Sequence, residues 1–275
     1  MVVFILSFIL LLSKVVRVSM YSLLAVVLLL LSAKSQAFGR TGHIMICQMS
    51  YQLVQPATRQ QLDQLLKATP YPSFGPACVW PDEVRSEEQF AWTKPHHYIN
   101  LQRGETEVTR DHCPEVGCVV SAIEDMQLRL KQNKQDWQAL LFLSHYISDL
   151  HQPLHVSFAD DLGGNRTAVY FFGEPSNLHG LWDSNLLTKL GYDEPARQQQ
   201  LFASLSLAQQ QQWQASGLMD WTNESARITV GLYQEYRPGM LINDNYVAKH
   251  QAVLEQRLLQ AAVRLAATLD KLFAE

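Results

Sequence analysis

Trp137-Gln-Ala-Leu-Leu-Phe-Leu-Ser-His-Tyr-Ile-Ser-Asp-Leu-His151-Gln-Pro-Leu-His155 is apolar over most of a helical circumference. A helix with no water-facing side belongs inside a fold, so Trp137–His151 is expected to be a central buried helix. It carries His145 and Asp149 four residues apart, which puts both on one face. Burying a histidine and a carboxylate is costly unless they pair or bind a metal. From this segment alone both outcomes stand: a His–Asp hydrogen bond inside the core, or part of a metal site. Pro153 ends the helix, and His155 falls just beyond it.

Helical periodicity continues on either side. It predicts helices over His43–Val54, Ala57–Lys67 (opened by Pro56, as proline at a first turn does), Val119–Gln132, Leu178–Lys189, Gln198–Gln214, Asp220–Tyr236 and Tyr246–Phe273. The Gln-rich stretch reads as a solvated helix with Leu201, Leu205 and Leu207 turned inward. Only Ala168–Phe172 and His97–Leu101 read as strands. The fold class is therefore all-α with a small β-hairpin.

The first 37 of the 275 residues read as a secretory signal: two apolar runs, Val2–Leu12 and Leu23–Leu31, separated by Lys14 and Arg17. Ser35-Gln-Ala37 puts small residues before a cut after Ala37. The alternative is a retained anchor, but each run is shorter than the ~20 apolar residues a spanning helix needs. Residues 38–275 suit one domain, since single cores run to roughly 250 residues. A secreted or periplasmic location follows. The net charge of −4 gives no electrostatic footprint of a duplex-DNA binder. A nucleic-acid substrate would have to be held by metal and stacking. In an exported chain four cysteines favour disulfides. Cys113 and Cys118 enclose a short loop and are expected to pair, leaving Cys47 for Cys78; four free thiols or thiolate ligands are the alternative.

The histidines are clustered by motif. His179-Gly-Leu-Trp-Asp183 repeats the His-x-x-x-Asp spacing of His145 and Asp149. Asp82 lies in Val79-Trp-Pro-Asp-Glu-Val-Arg85, where plain helix capping is the competing role. His97 lies in Pro95-His-His-Tyr-Ile-Asn100. A cut after Ala37 would leave Phe38-Gly-Arg-Thr-Gly-His43 at the new terminus. A free α-amine has a pKa of about 7.7–8 and can serve as a nitrogen ligand. Nitrogen and carboxylate ligands without thiolates suit zinc. Five histidines, three aspartates and an amine exceed what one tetrahedral ion takes, so the set fits a cluster.

Phe38…His43, Trp80-Pro-Asp82-Glu-Val-Arg85, His97-Tyr-Ile-Asn100, His145-x-x-x-Asp149-Leu-His-Gln-Pro-Leu-His155 and Gly163-Gly-Asn…Asn177-Leu-His179-x-x-Trp182-Asp183 closely resemble the S1/P1 nucleases. These are zinc-dependent, single-strand-preferring nucleases and 3′-nucleotidases. The resemblance implies the multi-helix, single-domain fold of phospholipase C and P1 nuclease. It implies three zinc ions: one on Asp82, His97, His145 and Asp149; a second on His155, His179 and Asp183; a third on the Phe38 amine and carbonyl, His43 and Asp149. Arg85 matches the family's phosphate-facing arginine, and Tyr98 its base-stacking aromatic. Asp82, Arg85 and Asp149 would be the catalytic set, with Tyr98, Asn100 and Arg85 on the substrate.

The chain departs from the family pattern at Phe38, where Trp is usual, and at Asn100, where many members have Asp. His96, His112, His151 and His250 match no ligand position, and His151 is expected to support a ligand from behind. The implied activity is hydrolysis of single-stranded DNA, RNA and 3′-nucleotides by a monomer. A zinc-dependent phospholipase C and a non-catalytic zinc-binding protein are the alternatives. Activity on phosphatidylcholine against single-stranded DNA separates the first of these.

Overall fold

The computed structural model describes residues 38–273; the expected signal segment lies outside them. Two helices come first: α1, Gly39–Leu53, and α2, Pro56–Leu66, with Pro56 at its first turn. Two short helices follow, α3 (Phe74–Ala77) and α4 (Trp80–Val84). A 3₁₀ segment, Glu88–His97, leads into strand β1, Ile99–Leu101. Then come α5 (Val119–Gln132) and α6 (Trp137–His151). Strand β2 is Val156–Phe158, and β3 (Ala168–Phe171) and β4 (Glu174–Asn177) form the hairpin. Beyond it α7 (Leu178–Gly180) runs through a π turn, Leu181–Asn185, into α8 (Leu186–Lys189). The chain closes with α9 (Pro195–Ala203), α10 (Leu207–Gln214), α11 (Leu218–Glu235), strand β5 (Leu241–Ile242) and α12 (Asp244–Phe273).

Helix α6 sits at the centre, packed by α1, α4, α5, α11 and α12. Asp136 caps it, accepting the Ala139 N–H at 2.9 Å. Every residue from Ala139 to His151 is buried, as its apolar circumference requires. Among the described residues no helix is long and apolar enough to cross a membrane.

Two small sheets complete the helical frame. β1 and β2 pair in parallel, Ile99 opposite Val156 and Leu101 opposite Phe158. The hairpin of β3 and β4 is antiparallel, and β5 joins its other edge in parallel. Disulfides Cys47–Cys78 and Cys113–Cys118 tie α1 to the end of α3 and close the loop before α5.

The Gln-rich stretch is two helices, not one. Ser206 caps α10, accepting the Gln209 N–H at 3.2 Å, so the chain turns between α9 and α10. Leu201 is buried and Leu205 packs against the core, but Leu207 is 75% exposed, contrary to its expected inward position.

Behind α6 lies a buried ionic clamp. Arg257 and Arg264 on α12 are each 1% exposed and share the Glu224 carboxylate of α11. Arg257 Nε donates to the His151 carbonyl at 3.1 Å, and Arg264 Nη1 donates to His151 Nε2 at 3.0 Å. His151 Nδ1 donates to the Ile147 carbonyl. His151 therefore serves this clamp, not the ligand face. Two residues from Asp149 on a helix it points to a different side. Burial, then the charges of Arg257 and Arg264, hold its pKa well below the ordinary value, so it is neutral.

Removing one partner of a buried ion pair strands the other charge, which costs about 3–5 kcal/mol. Glu224→Ala should lose stability on that scale in urea unfolding. Burial pushes the Glu224 carboxyl up, but the two guanidiniums outweigh it and hold it below the usual range. A depressed folded pKa means the contribution is present at neutral pH and fades as pH falls through the folded value. The difference between wild type and Glu224→Ala should therefore shrink on acidification; a pH-independent difference contradicts the assignment.

Candidate metal centre

Four backbone devices bring the ligand candidates together. On α6, His145 and Asp149 face the same way, both fully buried. Pro81 opens α4 and sets Asp82 in its first turn. Asp82 caps no helix: neither buried oxygen makes a hydrogen bond, and Oδ1 lies 3.3 Å from Arg85 Nη1 and 3.7 Å from His145 Nε2. The β1–β2 ladder begins two residues after His97 and one after His155, and the His155 Nδ1–His97 carbonyl bond continues it, so the two histidines lie side by side. The Asn177 side chain accepts the Gly180 N–H at 2.7 Å and starts the α7 turn, which carries His179 and leads into the π turn that carries Asp183.

The result is three compact groups of buried donors: His43, His145 and Asp149; Asp82, His97 and His145; His155, His179 and Asp183. Asp149 stands between them. Its Oδ2 is 2.8 Å from His97 Nδ1 and 3.4 Å from His145 Nε2, while Oδ1 is 3.3 Å from His43 Nε2. The rings of His43 and His145 stack at 3.8 Å.

Several imidazoles are oriented from behind. His145 Nδ1 donates to the Cys78 carbonyl at 2.8 Å, His155 Nδ1 to the His97 carbonyl at 2.6 Å, and His179 Nδ1 to the Gly163 carbonyl at 2.7 Å. Each bond places the proton on Nδ1 and turns an Nε2 lone pair inward. Gly163 has φ +64°, and a Cβ there would meet the Leu154 carbonyl oxygen at 2.7 Å, so only glycine puts that carbonyl in place.

The inward atoms lack protein partners. His97 Nε2, His145 Nε2, His155 Nε2, both His43 nitrogens, both Asp82 oxygens and Asp149 Oδ1 are buried and make no hydrogen bond. Buried polar atoms are nearly always satisfied. Lone pairs directed at one another are satisfied by a cation. All four cysteines are in disulfides, so the donors are nitrogen and oxygen only. The set fits divalent metal ions.

Protonation states agree. Burial pushes the Asp149 carboxyl up, but His145, His155, His43 and His97 outweigh it and hold it well below the usual carboxylate range. Burial drives His145 well below its ordinary value. His155 falls to about 4, chiefly by burial and then by the like charge of His179. Burial lowers His43 and His179 as well, but the carboxylates of Asp149 and Asp183 outweigh it and raise them above the ordinary value. A metal ion takes the imidazoles without those protons, so binding here weakens as pH falls.

The remaining candidates sit around this cluster. Phe38 is buried, with its carbonyl accepting the Gly42 N–H at 3.0 Å. Gly39 packs on the Asp183 carbonyl oxygen and the Ser184 side chain, which sets the start of α1 against the π turn. Arg85 is beside Asp82, its side chain about one-third exposed (31%). Tyr98 is 43% exposed. It shares a cavity of about 560 Å³ with Asn100, Glu105, His112 and Gly117. Gln152 was not among the sequence candidates. It is fully buried, and its amide donates to Asp183 Oδ1. Its place inside the His151–His155 motif was the only signal.

The sequence profile of the family described as S1/P1 Nuclease matches residues 38–274. The chain belongs to the S1/P1 nuclease family. It is 31% identical over 274 residues to Endonuclease 4 of Arabidopsis thaliana, covering 86% of this chain and 89% of that one. Nuclease S1 of Aspergillus oryzae (strain ATCC 42149 / RIB 40) is 25% identical over 271 residues, covering 88% and 94%. Nuclease P1 of Penicillium citrinum is 29% identical over 162 residues, covering 56% and 59%. The family match spans all the candidate ligands, from Phe38 to Asp183, and the helices behind them.

Ligands from distant segments make metal binding part of folding. A site held at a thousand times its Kd adds about 4 kcal/mol. Chelation should therefore lower Tm by about 8–16 °C per ion lost, at 2–4 °C per kcal/mol. Thermal unfolding with and without chelator measures this, and an unchanged Tm contradicts metal binding here.

Proposed function

We propose that this nuclease holds three zinc ions on Asp82, His97, His145 and Asp149; on His155, His179 and Asp183; and on the Phe38 amine and carbonyl, His43 and Asp149. It hydrolyses single-stranded DNA, RNA and 3′-nucleotides at the bond between phosphorus and the 3′-oxygen. The products of polymer cleavage are 5′-phosphates and 3′-hydroxyls. The observation that carries this reading is the buried row of imidazole nitrogens without protein partners, standing on the family's motif positions.

When bound, the ions would supply Lewis acidity, polarising the phosphoryl group and lowering the pKa of the attacking water. The protein's own groups do the rest. Asp149 directs one oxygen toward His97 and His145 and the other toward His43, and so sets the spacing of the ions it would bridge. Arg85, at the edge of the cluster, offsets charge that develops on the phosphoryl oxygens. Tyr98 offers an exposed ring for a base, worth about 1–3 kcal/mol per stacked base. Asn100, in the same cavity, meets the base edge. Stacking of this kind needs an unpaired base, which accounts for single-strand preference. The overall charge of −4 is consistent with recognition by metal and stacking.

The amine ligand requires a free terminus at Phe38. Cleavage of the 1–37 signal during export would supply it, so secretion or periplasmic delivery is part of making the site.

The test is hydrolysis of single-stranded DNA, RNA and 3′-AMP by protein starting at Phe38. A form with one extra Met before Phe38 and an Asp149→Asn variant are run beside it. Activity should be present in the mature form and fall by at least about 10²-fold in both others, the scale of losing one electrostatic stabiliser. Full activity with the extra Met removes the amine from the ligand set. No activity of zinc-loaded mature protein on any of the three substrates overturns the proposed reaction.

A further inference from the structure

The segment between Asp149 and His155 joins the two ends of the metal cluster, and one side chain in it is unaccounted for. Helix α6 stops at His151, and Gln152 is extended (φ −78°, ψ 116°) because Pro153 cannot continue the helix. Its side chain turns back into the protein, fully buried. The Gln152 side-chain oxygen, Oε1, accepts the Leu154 N–H at 2.5 Å. That bond fixes which end of the amide is the donor. The amide nitrogen is then aimed at the Asp183 carboxylate and donates to Oδ1.

The backbone on either side is pinned from behind. Ser225 donates to the Leu150 carbonyl at 2.6 Å, Arg257 to that of His151, and Thr229 to that of Pro153. Gln152 is thus a rigid arm, anchored next to one ligand, His155, and gripping another, Asp183, from across the site. With Oδ1 held, the Asp183 oxygen beside His179 is Oδ2, 3.2 Å from His179 Nε2.

We infer that Gln152 is a positioning residue for the group of His155, His179 and Asp183. It presents Asp183 to a metal ion through one oxygen and leaves coordination room for water or phosphate. This rests on the metal-centre reading above and adds to it a prediction about one ion of the three. Losing a partner that orients a metal ligand typically costs about 10–100-fold in metal affinity.

The experiment counts metal per chain in zinc-loaded mature protein dialysed against rising concentrations of a competing chelator. Wild type is compared with Gln152→Met, which keeps volume and loses both hydrogen bonds, and Gln152→Glu, which keeps length and cannot donate when ionised. Thr229→Val, which loosens the same turn without touching Asp183, is the structural control. The inference expects one of three ions to leave both Gln152 variants at about 10–100-fold lower chelator strength, with the other two retained. It expects Thr229→Val to lower Tm but keep wild-type chelator resistance. Cobalt-loaded Gln152→Met should also show changed visible absorption, reporting altered coordination. Three ions in wild type and equal resistance in both Gln152 variants overturns this inference and leaves the centre intact. Equal loss from Thr229→Val overturns it too, assigning the effect to the turn. No metal in wild type overturns the metal-centre reading and this inference together.

Discussion

Asp149 and the imidazoles around it are out of water, and the architecture follows from that. His43, His145 and Asp149 are fully buried, with His97 and His155 nearly so. Removing a carboxylate from water is expensive unless charge of the other sign faces it. Here the surroundings are mostly imidazoles, which hold Asp149 ionised, with Asp82 as a second acid whose own pKa is raised, first by burial. Such an arrangement is poor as a core and good as a cation cage. The protein accepts the local cost because the apolar circumference of α6 and the layers packed on it stabilise the fold as a whole.

The walls of the cage are built for rigidity. Cys47–Cys78 holds the carbonyl that orients His145, joining covalent geometry to the tautomer of a candidate ligand. The ladder of β1 and β2 is only three residues long, yet it sets His97 and His155 within one hydrogen bond of each other. Behind them the clamp of Glu224, Arg257 and Arg264 holds the end of α6 through His151. A buried ion cluster is weak evidence for stability on its own. Its place here, against the turn between Asp149 and His155, makes it a fixture for the site.

What was legible in sequence follows from periodicity. Val119–Gln132 and Trp137–His151 appear over the predicted residues, because strong apolar phasing and the Asp136 cap mark their ends. Gln198–Gln214 was read as one helix because a run of glutamines carries no phase, and the Ser206 cap hid within it. Strands β2 and β5 are too short for alternation to register, and β4, Glu174-Pro-Ser-Asn177, carries no large apolar side chain to alternate. The metal candidates were legible because His-x-x-x-Asp spacing survives folding on a helix. Even the π turn through Asp183 keeps His179 and Asp183 within 3.2 Å. The partners behind the ligands were not legible, since the Cys78, His97 and Gly163 carbonyls are backbone atoms with no residue signature. His151 stands behind the site, but it bonds to the clamp on α12 and to its own helix and to none of the metal candidates.

The central claim is that three ions occupy the buried groups around Asp149. Anomalous diffraction at the zinc edge, from crystals of mature protein beginning at Phe38, tests it most directly. The account predicts three peaks: one among Asp82, His97, His145 and Asp149, one among His155, His179 and Asp183, and one beside His43 at the Phe38 terminus. Crystals grown in excess zinc that show these side chains in place and no anomalous density among them would contradict it.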